Sequence, residues 1–466
     1  MPPNEEKEKQ AVIDSSAVGP DLEPGTGLAS GVGPDLEPGT VASGAGPGLD
    51  NARLEPYSIY GRKAKWFLVA MVALAGFFSP LPANIYFPAM PTLATVFDVS
   101  VESINLTVTI YLVMQGISPM LWGPLSDRLG RRPMFLICLT ILVASCIGLA
   151  LTPPSAFWLF LLLRALQAGG CASTIALGSG VIGDISTPEE RGGYFGMFNL
   201  GPMLAPCIGP ALGGALSDHL GWRSIFWFLA AFAAACFVLM ACFLPETMRA
   251  LVGNGSVAPP NAIYRPLIPV VHQGTIEPDS LPNFKAHRPS VNPLKLFLYK
   301  DILLTLSYTG IVYAVNYTVT ATISTTFADI YPYLSDTSIG LCYLATGGGM
   351  ILGSTLTGQM LDREYRRIRQ TWTRDRDRER EQGAGVASAS TKNENDNENG
   401  NDNDNDDFPI EMARLRTMPV FLLIFVACVL AWGWCLQHKV SIAGPLVLQI
   451  IFHIPYNQAM YAWSVL

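Results

Sequence analysis

Charged side chains set inside or beside long apolar runs are where this sequence can do work. An ion facing hydrocarbon is costly and is kept only where it is paired or faces water. The densest such set is Gly123-Pro-Leu-Ser-Asp127-Arg128-Leu-Gly130-Arg131-Arg132. One carboxylate among three guanidinium groups makes charge-assisted pairs, which one arrangement of helices forms and another breaks. That is the chemistry of a latch. Asp127 can equally sit at the N-terminus of a neighbouring helix. Gly123 admits close helix approach, and Gly130 suits a tight turn between two helices. Simple topology anchors would need basic residues alone, whereas here a whole pattern is present. It also recurs: Gly358-Gln-Met-Leu-Asp362-Arg363-Glu-Tyr-Arg366-Arg367 matches at Gly, Asp-Arg and Arg-Arg. A motif repeated at the ends of two distant apolar runs implies two related halves with a site between them.

Arg164 is the basic residue that lies well inside an apolar run of the first half, and Gln167 shares its helical face three residues on. Such an arginine either faces an aqueous cavity or a partner, or fixes helices by bonding to their carbonyls. Thr107, Tyr111 and Gln115 recur at fourfold spacing, and Asn84, Asn199, Tyr313, Asn316, Tyr317 and Tyr343 are further polar positions within apolar runs. Each is a candidate for a cavity wall or an interhelical hydrogen bond. A mostly apolar, aromatic cavity suits lipophilic cations or other amphipathic molecules. Gly201, Ala205, Gly209 and Gly213 form a stripe of small residues beside Pro202, Pro206 and Pro210. The stripe admits a second backbone, and the prolines leave the helix bendable.

Other chemistry is not indicated. No nucleophile–base pair, HExxH or phosphate-cradling loop stands in a polar segment, so an enzyme is not expected and no catalytic residue is assigned. The nine cysteines fall in apolar stretches without CxxC spacing, which points to packing rather than to a metal site or disulfides. No basic, aromatic-interleaved stripe speaks for nucleic acid. No Asp or Glu lies well inside the first six apolar runs; Asp127, Asp184 and Asp218 stand near their ends.

The elements that must position these residues are membrane helices. Of 466 residues, 50% are hydrophobic and 14% charged, about half the charged share of a soluble domain. Apolar stretches near 66–88, 104–125, 134–152, 156–182, 194–217, 223–244, 302–327, 337–361 and 417–437, with a weaker tenth at 441–466, can each cross roughly 30 Å of hydrocarbon. Arg62, Lys63, Lys65, Arg128, Arg131, Arg132, Arg191, Lys285, Arg288, Lys295 and Lys300 mark one side, while 89–103, 153–155 and 328–336 carry no Lys or Arg. The N-terminus and the central connection are therefore expected in the cytoplasm. The class is an all-α polytopic membrane protein, with a disordered N-terminus at 1–63, a six-span half at 64–248, a central loop at 249–300 and a second half at 301–466. Within the first segment, Gly19–Thr26 recurs as Gly33–Thr40. An insertion at about 364–414 is expected to be disordered, beginning with a mixed-charge run, Arg363–Glu381, that continues the eighth span as a solvated helix.

The Gly123–Arg132 loop resembles the signature loop of the major facilitator superfamily. Arg164-Ala-Leu-Gln167-Ala-Gly169-Gly170 resembles its fourth-helix motif, Gly209-Pro210-Ala-Leu-Gly213-Gly214 its fifth-helix antiporter motif, and Pro245-Glu246-Thr247 the close of its sixth helix. Residues 84–248 in particular look like the fungal twelve-span drug:proton antiporters of the quinidine-resistance type. The resemblance implies the major facilitator fold of two six-span halves and proton-coupled export of small organic molecules by alternating access. It also implies residence in a fungal plasma membrane, with the vacuolar membrane as alternative. It links Arg164 to proton movement and assigns the fifth helix to sealing the halves, with Ala205 where the family commonly has Gly. The partners implied are the lipid bilayer, a small-molecule substrate and protons, with no cofactor, no nucleic acid and a monomeric state. Pro445–Gln449 fits the tenth helix, whereas Ile454–Ser464 departs from the family, and about a hundred further residues would hold two more spans. The second half is therefore expected to be incomplete, through a gene-model artefact or a genuine truncation. The alternative function is a truncated or regulatory membrane protein that does not transport.

Overall fold

The computed structural model describes residues 57–259, 261–270, 276, 298–387 and 418–463. The N-terminal repeat, Lys285, Arg288, Lys295 and the Asn/Asp tracts within 393–407 lie outside the described residues, as does residue 388 onward in the insertion.

Apart from one isolated bridge, Val257–Ile276, the regular structure among the described residues is helical. Nine helical stretches among the described residues are long and apolar enough to cross a membrane. The first is broken. Helix α1, Arg62–Phe77, stops where Phe78 and Ser79 turn their N–H groups back to Ala75 and Gly76. Pro80 and Pro82 supply no N–H to continue it. The chain resumes as α2, Leu81–Asn84, a 3-10 turn at Phe87–Ala89, and α3, Met90–Phe97. Helix α4, Val101–Leu129, starts at Ser100, whose hydroxyl accepts from Ser103 N at 3.3 Å, with Glu102 in the first turn. It runs through Pro119 and Pro124, as membrane helices can where neighbours satisfy the freed carbonyls.

Gly130 alone separates α4 from α5, Arg131–Leu151. The fourth span is also interrupted, as α6, Phe157–Cys171, and α7, Thr174–Ile185. Helix α8, Pro188–Leu220, contains Pro202, Pro206 and Pro210, and α9, Arg223–Phe243, closes the first half. In the central loop, the short α10, Arg249–Val252, is followed by a strand-like run whose Leu267 and Ile268 N–H groups bond to Ala241 and Cys242 at the end of α9.

The second half holds α11, Lys300–Ile330; α12, Asp336–Ala387; α13, Met418–Gln437; and α14, Ala443–Trp463. Helix α14 stands where the tenth span was expected and is not among the nine; it carries Gln449, His453 and Asn457, all buried. Helix α12 has 52 residues, roughly 78 Å of helix, of which Asp336–Thr357 is the apolar stretch. Within the insertion, the mixed-charge run Arg363–Glu381 continues α12 as a helix, and the helix extends to Ala387. In sequence, Arg374–Glu381 alternates in charge, so opposite charges fall three residues apart, a spacing that favours a solvated helix beyond the apolar part.

Packing follows the two halves. In the first, α1 lies on α8, α5 on α9 and α6, and α4 on α6. In the second, α14 lies against α12, α13 and α11. The halves meet chiefly along α8 and α12.

Candidate functional site

The Gly123–Arg132 loop is a capped joint between helix ends. Arg131 pairs with Asp127 Oδ1 at 2.6 Å, one turn back, and with Asp184 Oδ2 at 3.1 Å at the end of α7. Its Nη1 also donates to Ser126 Oγ. Arg128 adds a basic charge to the last turn of α4, where the helix dipole favours it. Glu246 is buried beneath the loop, and its carboxylate accepts the backbone N–H groups of Arg131 (2.9 Å), Arg132 (3.2 Å), Thr247 (3.0 Å) and Met248 (3.0 Å). It thereby caps the positive N-terminus of α5. Burial pushes the Glu246 carboxyl above the usual carboxylate range, and the four N–H groups act against that shift.

Arg132 answers in the opposite sense. Its guanidinium is buried and donates to Met240 O (3.1 Å), Ala241 O (2.8 Å) and Leu244 O, the open carbonyls at the end of α9, and to Ile263 O of the central loop (2.9 Å). Among the described residues, the hydrogen bonds and ion pairs of Asp127, Arg131 and Arg132 stay within the first half and the central loop. Gly123 has open space around its Cα. Of the repeated loop, the backbone of Gly358 and Asp362 lies within α12, their side chains lie outside the described ones, and Arg363 is exposed.

Deeper in the bundle, the break of the first span exposes main-chain acceptors, and polar side chains gather on them. Ser79 O accepts from Tyr111 Oη at 2.8 Å and from Gln115 Nε2 at 3.2 Å. Pro80 O accepts from Asn84 Nδ2 at 2.7 Å, and Pro82 O from Arg164 Nη1 at 2.9 Å. Arg164 is fully buried, with the Tyr86 ring 4.2 Å and the Tyr111 ring 4.6 Å from its guanidinium carbon. Its Nη1 also donates to Gln167 Oε1 at 2.6 Å, while Nε and Nη2 find no partner among the described residues. Two ring faces and one carbonyl take the place of a carboxylate. The contacts of Arg164 among the described residues are thus with carbonyl, amide and ring groups.

A cavity of about 400 Å³ lies between the halves. From the first half come Asn84 and Gln115, with Asn199 and Pro202 of α8; from the second come Tyr313, Asn316 and Tyr317 of α11, with Tyr456 and Asn457 of α14. Of the residues singled out for proton linkage or a cavity, Gln115 lines it; Tyr111, Arg164 and Gln167 are packed behind it. Thr107 instead bonds Tyr86 Oη at 2.8 Å, and Tyr343 donates to Thr320 O at 3.0 Å. Among the described residues that line it, none is charged. Met203, Met350, Tyr456 and Asn457 are wall residues that sequence reading missed. Their signal was weak, since Met and Tyr in an apolar run look the same whether packed or facing a cavity.

Gly209, Pro210, Gly213 and Gly214 lie on one side of this cavity. A methyl group at Gly213 would run into the Ile85 carbonyl, and one at Gly214 into the Asp336 carbonyl of α12. From α12, Gly340 presses on the Pro210 carbonyl and Gly347 on Cys207. Hydrogen bonds close the same end: Asp336 Oδ2 accepts from Ser217 Oγ at 3.0 Å and from Thr92 Oγ1 at 3.3 Å, and Asp218 Oδ2 accepts from Thr337 N at 2.7 Å. Asn84–Tyr317 at 3.5 Å and the hydroxyl of Thr337 on Asp218 also join the halves. The seal therefore lies at the end away from Arg131.

Comparison with known proteins agrees with this architecture. The family model described as Major Facilitator Superfamily matches residues 72–374. The MFS-type transporter phiD of Fungal sp. (strain ATCC 74256) is 36% identical over 419 residues, covering 87% of this chain and 59% of that protein. The chain thus spans less than two thirds of that relative's length. Citrate exporter 1 of Aspergillus niger is 36% identical over 399 residues, with 84% of this chain and 72% of that protein covered. Quinidine resistance protein 1 of Saccharomyces cerevisiae is 32% identical over 406 residues, with 85% and 70% covered. A crystal structure of a bacterial homolog of the human lysosomal transporter Spinster, inward-facing and unoccupied, superposes with a TM-score of 0.50 at 14% identity, covering 88% of this chain and 75% of that one. Helices packed as two halves about a cavity and the breadth of these matches lead to one conclusion: the chain belongs to the Major Facilitator Superfamily.

Proposed function

We propose that this chain is a secondary transporter that exports small organic molecules by alternating access, with proton influx as the driving force. The observation that carries the reading is the cavity between the halves, sealed at one end by the α8–α12 seam. Transporters of this build hold their substrate near the bilayer midplane and rock two halves about it. Basic residues on the Arg131 side support a cytoplasmic N-terminus, which makes the sealed end the outer one. The plasma membrane fits the quinidine-resistance relative, and the chain acts as a monomer around its own cavity. The relatives' names do not fix the cargo, since one is named for a tricarboxylate and another for an amine. In this reading Asp127–Arg131–Asp184 is a first-half latch that the Asp362 loop mirrors in the second.

The test is export from vesicles holding the full chain under an imposed pH gradient. Asp127→Asn and Arg164→Ala should each abolish flux while membrane insertion stays intact, and normal flux in both would sink the mechanism. A non-transporting, regulatory protein is the second reading. It is favoured by the charged extension of α12 beyond Thr357, a surface that a cytosolic partner could bind. Wild-type vesicles that show no gradient-driven flux of any tested solute would bring it forward.

A further inference from the structure

The cavity's polar groups are not balanced between donors and acceptors, and the imbalance constrains what fits. An amide facing a main-chain carbonyl must present its nitrogen, because its oxygen has no proton to give. Asn84 spends Nδ2 on Pro80 O (2.7 Å), Gln115 spends Nε2 on Ser79 O (3.2 Å), and Asn457 spends Nδ2 on His453 O (2.9 Å) and Met350 O (3.1 Å). Each leaves its carbonyl oxygen as the free end. Asn316 is 3% exposed, lines the cavity, and its Oδ1 has no hydrogen-bond partner among the described residues. A buried acceptor left alone is expensive, and a ligand that donates to it removes that cost. The hydroxyls of Tyr313 and Tyr456 can donate or accept, and Asn199 keeps both functions. The surplus is nevertheless of acceptors.

Charge is disfavoured in both signs. A carboxylate needs several N–H or cationic donors, and the described lining residues include no Lys, Arg or His. A cation would meet no carboxylate, and it would feel Arg164. That guanidinium lies one turn from Gln115 by way of Tyr111 and is held only by neutral groups. The rings of Tyr313, Tyr317 and Tyr456, with Met203, Met350 and three prolines, supply the apolar remainder.

We propose that the cavity takes an electrically neutral amphiphile with an aromatic body that presents two or more O–H or N–H donors, and that it rejects carboxylates and permanent cations. The inference rests on the transporter reading above, whose cavity it describes. The probes are 4-hexylresorcinol, its dimethyl ether, 4-hexylbenzoate and trimethyl(4-hexylphenyl)ammonium, which share one body and differ in donors and charge. Binding to the full chain in detergent is followed by titration calorimetry against empty micelles. The resorcinol should bind at least about tenfold more tightly than its ether, as for a site with unpaired acceptors. The two ions should show no saturable binding. Asn316→Leu should erase the tenfold preference without lowering the melting temperature; Gln115→Leu serves in its place if that variant unfolds. Equal binding of the ether, or tighter binding of either ion, overturns the proposal. Flux from vesicles separates the two ideas. Selective binding of the resorcinol without flux upholds the selectivity and defeats export. Flux of an ion in its place defeats the selectivity and leaves export standing.

Discussion

Gly130 holds φ at +102°, and a Cβ there would come within 2.5 Å of Glu246 Oε2. Both facts bear on the same joint. The positive φ turns α4 into α5 without an intervening loop, and the missing side chain leaves room for the carboxylate that caps α5. Gly130→Ala should cost about 1–3 kcal/mol, read as a lower melting temperature in detergent, because it combines backbone strain with displacement of a buried cap. An unchanged melt would mean that Glu246 can cap from elsewhere. At this scale the sequence was legible in residue identity but not in role. Asp127, Arg131 and Arg132 stood out as a charged motif, yet the Arg132 guanidinium bonds to the carbonyls of α9 rather than to a carboxylate. Such main-chain acceptors leave no trace in a pattern of side chains, and the same is true of the carbonyls on which Arg164, Tyr111 and Gln115 converge.

Helix α8 shows what small residues and prolines do together within one element. Its Gly213 and Gly214 face different neighbours, one the broken first span and the other the start of α12. Its three prolines supply no N–H to the carbonyls of Phe198, Pro202 and Pro206 one turn back, and the Pro210 carbonyl lies against Gly340 of α12. A stripe of glycines was readable from fourfold spacing, but the second face was not, because adjacent glycines sit about 100° apart on a helix and either can be the interface. The breaks in the first and fourth spans were likewise hidden, since hydropathy averages over a span and is blind to where its hydrogen bonds stop. Gly214→Val should prevent α8 and α12 from meeting. The expected result is correct insertion with flux from vesicles lowered at least about tenfold, since the clash is with backbone and cannot be relieved by a rotamer change. Flux within twofold of wild type would show that this end need not close so tightly.

Across the whole molecule, the order of the spans was visible in the sequence because each must satisfy the same length and apolarity, although the tenth stretch is not among the nine that qualify in the described residues. How the halves meet was not. Asp218, at the end of α8, caps the N-terminus of α12 by accepting from Thr337 N, so a carboxylate of one half completes a helix of the other. Separating the halves at this end removes that cap and leaves only Ser335 Oγ, which accepts from Ser338 N at 3.3 Å, at a cost of about 1 kcal/mol. Asp218→Ala should therefore raise the rate at which Thr337→Cys reacts with a membrane-impermeant maleimide by about fivefold, the equivalent of that cap. An unchanged rate would place the resistance to opening elsewhere. The cap has a further effect on traffic. A solute arriving from the capped end binds only the fraction of molecules open there, and its apparent affinity falls by that fraction. On the proposed export, the joint between Asp218 and α12 works as a check valve: it sets how seldom the exit admits returning cargo, while the direction of net flow belongs to the gradient.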